Sequence, residues 1–238
     1  MVENKPLSCT PIGVQPLQGS RIRLVRAAPE YIDFIYACYH NDRFMDLYRL
    51  AQSRAISKKE LLQRLSTEHN QSPQALKRIE WVILKQEQEA LTPIGLAALA
   101  DHQVSHRRAE FLLGIPEAQN RTGNLGLEAS LLVLEFAFNL AGLNKVTSFV
   151  YGYNSRAQNN TLHLGFKQEG FFAEHIQTPS GFIDLYQNGL LRRDFQANKS
   201  ISRFSRRLLK RDITETQTAH IEKLPTELLK KLQLKLKS

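Results

Sequence analysis

The sequence predicts a mixed α/β (α+β) fold: a twisted mixed β-sheet flanked by helices, with a basic helical extension at the C-terminal end. Three observations carry that expectation. Strand-length apolar or alternating runs come first, then a helix–strand–helix stretch, then a hairpin, the order of a sheet domain with helices on its faces. The stretch from Leu125 to Leu140 is apolar over well more than half of its helical surface, as a helix packed on a sheet must be. The charge is also lopsided. Residues 192–238 hold 13 Lys or Arg against 5 Asp or Glu, so they carry eight of the chain's nine excess positive charges.

The elements follow in order. Residues 1–20 contain Pro6, Pro11, Gly13 and Pro16 without periodicity and predict an irregular lead-in. Arg21–Ala27 alternates and predicts a strand with one buried face. Pro29 and Glu30 open a helix as residues suited to a first turn. Helical spacing continues through Asp42–Leu50 and Lys58–Glu68. Trp81–Lys85 reads as a strand, Gln86–Pro93 as a hairpin loop, and Ile94–Leu99 and Ala109–Ile115 as the next pair, joined by a turn around Ser105–Arg107. Gly142 is placed to end the apolar helix. Lys145–Tyr151 predicts a strand, Ser155–Leu164 a short helix, and Lys167–Ile176 with Phe182–Leu190 a closing hairpin around Thr178–Gly181. Beyond these, Ile201–Arg211 and Pro225–Leu236 place apolar residues at helical spacing among cations. The expected organisation is a lead-in (1–20), one sheet domain (21–195) and a basic helical tail (196–238).

Composition narrows the function classes. Of 238 residues, 42% are hydrophobic and 23% charged, which suits a globular domain. Two cysteines, Cys9 and Cys38, exclude a disulfide framework and suit a reducing cytoplasm. No Cys/His cluster has zinc spacing, so no metal is expected. The start of the chain lacks an apolar run behind its charges, so no secretory signal is expected. The most apolar window, 125–140, is broken by Glu128, Glu135 and Asn139 and falls short of the roughly 18 residues a membrane span needs. The expectation is a soluble cytoplasmic protein.

Two motifs carry chemistry. The first is Arg121-Thr-Gly-Asn-Leu-Gly-Leu-Glu-Ala129, between a strand and the apolar helix. The leading amides of a helix have no intrahelical partner, and the helix dipole adds positive character, so a diphosphate can be held there by backbone donors. Thr122, Gly123 and Gly126 are small enough to let it approach, and Asn124 is the non-glycine residue that best tolerates a left-handed backbone. The second is Asn154-Ser-Arg-Ala157 followed by Gly165-Phe166. An Asn at a strand end offers both a donor and an acceptor to a ligand arm. It equally explains a helix cap, with Gly165 as the stop.

The spacing of these two motifs resembles the GNAT superfamily of acetyl-CoA-dependent N-acetyltransferases, over about three quarters of the chain. Its phosphate turn runs Arg or Gln, two residues, Gly, one residue, then Gly or Ala. Arg121 and Gly126 match, and Asn124 stands at the first glycine. Asn154, Ala157, Gly165 and Phe166 fall on the second motif. Glu128-Ala129 and Gly189–Phe195 resemble the branch that acetylates ribosomal proteins and small molecules. The resemblance implies acetyl-CoA held by Leu113, Ile115, Arg121, Thr122, Gly123, Asn124, Leu125, Gly126, Leu127 and Asn154. It implies direct attack by a primary amine in a ternary complex, and a bulge near Gly114 that aims an amide near Leu113 at the acetyl carbonyl.

Glu110 matches a family glutamate near the acceptor amine and reads either as the base or as a strand-end residue that faces solvent or pairs with Arg107 or Arg108. The family's usual tyrosine acid is replaced by Thr161, which leaves Tyr151 and Tyr153 as nearby phenols. His102, His106, His163 and His175 are scattered and read as surface residues. The tail reads as docked on the body or a second copy with its lysines solvated, or as a contact for an anionic surface such as RNA, a ribosome or a membrane interface. The competing expectation is a catalytically weak binding module attached through that tail.

Overall fold

The computed structural model describes residues 15–49, 55–88 and 90–215. Two short strands, β1 (Leu17–Gln18) and β2 (Ile22–Arg26), lead through a single 3-10 turn at Pro29–Tyr31 into helices α1 (Ile32–Tyr39), α2 (Asp42–Tyr48) and α3 (Lys58–Glu68). The Asn41 side chain caps α2, and Ser57 with Glu60 forms a reciprocal capping box on α3, which fixes both starts where the sequence places them. Strands β3 (Ile79–Glu87), β4 (Ala90–Gln103) and β5 (Arg108–Gly114) follow, then α4 (Leu125–Glu135), β6 (Lys145–Tyr151), α5 (Ser155–His163), β7 (Lys167–Thr178) and β8 (Gly181–Leu191). Two helices, α6 (Arg192–Gln196) and α7 (Lys199–Leu209), complete the described chain.

The eight strands form one sheet in the order β1-β2-β3-β4-β5-β6-β8-β7. All neighbours are antiparallel except β5 and β6. That parallel pair is joined for three residues only, Arg108↔Lys145, Ala109↔Val146 and Glu110↔Thr147, after which the strands part. One sheet face packs on α4 and α7, and the other on α1, α2 and α3. Trp81 and Phe136 meet edge to face at 5.0 Å on the first side, where fully buried aromatics contribute about 2–3 kcal/mol each.

The structure departs from the sequence reading in three places. The β3–β4 connection is not a loop over 86–93: the ladder continues to Glu87↔Ala90. Its polar residues are the solvated tip of a protruding hairpin. Pro93 is tolerated there because a register shift skips Ile94, and proline fits at such a bulge. Second, β5 runs unbroken through Gly114, and the irregularities lie on β4 instead, at Ile94 and around Asp101, whose φ is 44°. Third, the apolar helix ends in a π-turn over Phe136–Leu140. Gly142 at φ 65° then stops it, and the Leu143 amide bonds back to Ala137 at 2.8 Å.

The first amphipathic segment of the basic stretch is α7, and it docks: Ile201, Leu209 and Ile213 belong to the α4-side core. Arg211 grips Glu135 through two hydrogen bonds of 2.7 and 2.5 Å. The second segment, Pro225–Leu236, lies outside the described residues. Among the described residues no helix is long and apolar enough to cross a membrane.

Candidate active site

Where β5 and β6 part, the sheet opens into a cleft of about 500 Å³. A second cavity of about 230 Å³ shares Tyr48, Leu113, Gly126 and Asn154 with it and extends it toward α2. Past Glu110 and Thr147 the facing strands share no ladder, so the cleft is walled by Phe111–Leu113 on one side and Ser148–Tyr151 on the other. Splayed strands of this kind leave backbone donors and acceptors for an extended ligand.

The glycine-bearing turn closes one end. Gly123 (φ 67°) and Asn124 (φ 66°, ψ 16°) both adopt the left-handed conformation, so Asn124 does what its residue type allows. Its side chain makes no capping bond to α4, which leaves the helix's leading amides facing the cleft. Arg121 is locked beside them by donating to the carbonyls of Ile115 (2.8 Å) and Pro116 (2.5 Å). Thr122 turns its hydroxyl to the Gln119 carbonyl, and Leu125 anchors the turn in the core. Gly126 is open: a Cβ there would meet nothing nearer than the side chains of Ile115 and Leu113 at 3.9 Å. Leu113, Arg121, Gly123, Asn124, Gly126, Leu127 and Asn154 line the main cleft, and Ile115 lines the adjoining one.

Asn154 caps α5 at the edge of the cleft. Its Oδ1 accepts the Ala157 amide at 3.1 Å, capping α5, while the residue also borders the cleft. Gly165, at φ 87°, has the Asn198 side chain where a Cβ would lie, and Phe166 is buried against Phe111 at 6.4 Å. The buried Glu128 has a structural part: its Oε1 accepts the amides of Ser20 and of Arg21 (2.9 Å), holding the β1–β2 turn against α4.

Glu110 sits one residue before the β5 wall of the cleft, on the sheet face shared with Leu112 and the α1–α3 layer. Its carboxylate pairs with Arg49 at 3.5 Å, not with Arg107 or Arg108. Arg107 donates to Gly142, and Arg108 pairs with Asp101. Burial raises the Glu110 pKa, and the Arg49 and Arg78 guanidiniums only partly offset that.

Beneath the same face lies a buried polar cluster that sequence reading missed. Glu80 accepts from Tyr39 at 2.8 and 2.7 Å and from Arg78 at 2.5 Å, with Arg64 at 3.5 Å. Burial opposes the Glu80 charge, but Arg78 and Arg64 outweigh it and keep the carboxyl below its usual range. Tyr48, whose ring lines both cavities, points its hydroxyl into this cluster, 3.4 Å from Glu80 and Arg78. Burial pushes its phenol well up.

Tyr151 lies in the cleft wall and stacks on Tyr153 at 5.9 Å. Tyr153 stands outside the wall, half exposed, and its hydroxyl donates to the Asp46 carbonyl, tying the β6 end to α2. Thr161 is buried in the wall at the position where the family carries its acid. His163 is at the exposed rim, whereas His102 is buried with Nδ1 3.0 Å from the Leu76 carbonyl. The cleft also recruits Arg156 and Asn160 from α5 and Phe204 from α7. The α5 pair had a readable signal in the i, i+4 spacing from Arg156 to Asn160, one turn past Asn154. Phe204 had none, because its neighbours in the cleft come from far along the chain.

Parted strands, a left-handed turn at a helix start and a capping Asn thus meet at one cleft. The chain belongs to the GNAT family: the Acetyltransferase (GNAT) domain matches residues 21–167. Solved structures share the fold. A spermidine N-acetyltransferase from Vibrio cholerae, in complex with CoA and spermine, is 23% identical, with a TM-score of 0.62 over 72% of this chain and 96% of that one. A dodecameric form of the Vibrio cholerae enzyme is 22% identical, with a TM-score of 0.59 over 72% and 94%. A protein from T. thermophilus assigned as an acetyltransferase is 18% identical, with a TM-score of 0.60 over 81% and 96%. At these identities the likeness is one of fold. No curated protein matches the chain significantly.

Proposed function

We propose that the protein transfers an acetyl group from acetyl-CoA to a primary amine, a protein N-terminus or a small-molecule amine, by direct attack in a ternary complex. One observation carries the reading. The amide-lined turn at Gly123–Gly126 opens into the same cleft as the parted β5 and β6, and Gly126 leaves 3.9 Å of clearance there. A diphosphate fits the turn, and a pantetheine arm fits between the strands. When bound, acetyl-CoA supplies the activated acyl carbonyl. The chain's own groups do the rest.

The amides of β5 near Leu113 on the side that no longer pairs with β6 polarise that carbonyl. Glu110, kept basic by its raised pKa and held by Arg49, takes the ammonium proton directly or through water. As the new N–C bond forms and the C–S bond breaks, the thiolate takes a proton from the Tyr151 hydroxyl, and the second proton lost by the nitrogen restores that phenol through water. Holding amine and thioester together supplies much of the acceleration. Direct transfer is supported by Cys38, the one cysteine among the described residues. It is buried, and its thiol is pushed up to about 12, so it is no acyl carrier.

The test is a calorimetric titration of the full chain with acetyl-CoA beside Gly126→Glu. The open space at Gly126 lets the variant fold with an unchanged melting temperature while its carboxylate fills and repels the phosphate site. Micromolar binding by the wild type, abolished in the variant and followed by thiol release with some amine of a panel, supports the proposal. Absence of wild-type binding at millimolar acetyl-CoA sinks it.

A further inference from the structure

Helix α7 lies beyond the matched domain, yet Phe204 on it lines the same cleft as Gly123, Asn124 and His163. The helix is firmly placed. Asn198 caps it by accepting the Ser200 and Ile201 amides at 2.9 and 3.1 Å, Ile201 and Leu209 enter the core, and its Leu208 carbonyl accepts the Ser20 hydroxyl. Its arginines divide into two sets. Arg206 pairs with Asp212 at 2.9 Å and with Glu215 at 3.3 Å. Arg203 and Arg207 are exposed and have no acidic partner among the described residues. Instead both guanidiniums lie over the Phe204 ring, at 5.5 and 5.6 Å.

We propose that α7 forms the subsite for the adenosine 3′-phosphate end of coenzyme A, with Phe204 as the apolar wall beside the adenine and Arg203 and Arg207 as the ligands of the 3′-phosphate. This rests on the reading of the cleft as the acetyl-CoA site. The argument is one of direction and charge. The turn at Gly123–Gly126 fixes the diphosphate in the middle of the cosubstrate, and the thioester end runs between β5 and β6. The adenosine is the part left for the rest of the cleft, which Phe204 lines from α7 where that helix packs on α4. An aromatic wall flanked by two uncommitted guanidiniums suits a base carrying a dianionic phosphate, since arginine recognises phosphate through paired N–H donors. The Phe204 ring holds the two cations in place before the ligand arrives.

The experiment compares calorimetric binding of CoA and of 3′-dephospho-CoA by the full chain, by Arg203→Gln/Arg207→Gln and by Phe204→Ala. The wild type is expected to bind CoA about tenfold more tightly than dephospho-CoA, a preference of about 1.4 kcal/mol. The double arginine variant should bind both ligands equally, at the wild-type affinity for dephospho-CoA. Phe204→Ala should weaken both. Arg203 and Arg207 are exposed, whereas Phe204 packs against the edge of the core, so a melting temperature is taken for each variant to show that it is folded. A wild type that does not distinguish the ligands, or a double variant that keeps the full preference, overturns the subsite while leaving the acetyl-CoA reading intact. A wild type that binds neither ligand overturns that reading and the subsite with it.

Discussion

Glu110 on β5 and Arg49, the residue that follows α2, meet at 3.5 Å beside the point where β5 and β6 part. The pair couples a strand that borders the cleft to the helical layer on one sheet face. Burial raises the carboxyl pKa above 4.5, and Arg49 works against that without cancelling it. A carboxylate with a raised pKa is a better base near neutral pH than a solvated one.

The first prediction concerns the proposed role of Glu110 as base. Glu110→Gln keeps shape and removes proton acceptance, so kcat/KM for the amine should fall by roughly 10²–10⁴, with acetyl-CoA binding little changed. The wild-type profile should lose activity as pH falls through the folded pKa, above 4.5, and the variant should lack that limb. Stability moves the other way. A raised folded pKa contributes stability present below 4.5 and lost as pH rises through the folded value. Glu110→Gln should therefore be slightly more stable than the wild type at pH 7. A variant with an unchanged rate and the same acid limb would remove Glu110 from the mechanism.

The second prediction separates two stacked phenols. Tyr151 lies in the cleft wall, whereas the Tyr153 hydroxyl is given to the Asp46 carbonyl. Tyr151→Phe should lower kcat by about tenfold or more if it protonates the leaving thiolate, with little change in KM for acetyl-CoA. Tyr153→Phe breaks the tie to α2 and should act mainly on KM for the amine. The reverse pattern in steady-state kinetics would exchange the two assignments.

What is legible in the sequence is local. The α3 and β6 limits show in the chain as a capping box and an apolar run, and the left-handed turn at Asn124 follows from which residues tolerate that backbone. The length of the β3–β4 hairpin escapes such reading because solvated tip residues look like loop residues until the pairing partner is known. The Arg49 partner of Glu110 is out of reach for a different reason. Arg107 and Arg108 are its neighbours in sequence, but β5 turns their side chains to Gly142 and Asp101. The buried Glu80 cluster gathers Tyr39, Tyr48, Arg64 and Arg78 from four elements or their flanks, and no spacing announces such a gathering. Phe204 is the same case at larger separation.

The third prediction tests how α7 is held. Asp212 follows that helix, and its carboxylate receives the Thr214 amide at 2.9 Å, the Thr214 hydroxyl at 2.7 Å, the Ser202 hydroxyl and Arg206. Burial works against its charge, but these hydrogen bonds and the guanidinium prevail and hold its pKa down to about 2 from 3.8. A depressed carboxyl pKa contributes stability that is present above the unfolded value and lost as pH falls through the folded one. Asp212→Asn keeps one acceptor oxygen and loses the charge. The difference between 3.8 and about 2 sets an upper limit of about 2.5 kcal/mol, and solvent screening lowers it, so a loss of about 1–2 kcal/mol is expected at pH 7. Denaturant melts should show that gap narrowing between pH 4 and pH 2, because the wild-type carboxylate becomes protonated there. Since α7 also carries Phe204 into the cleft, the variant should bind acetyl-CoA more weakly at pH 7 if α7 shifts, and equally if only its anchoring is softened. A gap that persisted unchanged to pH 2 would mean that packing of Ile213, not the Asp212 charge, holds the helix end.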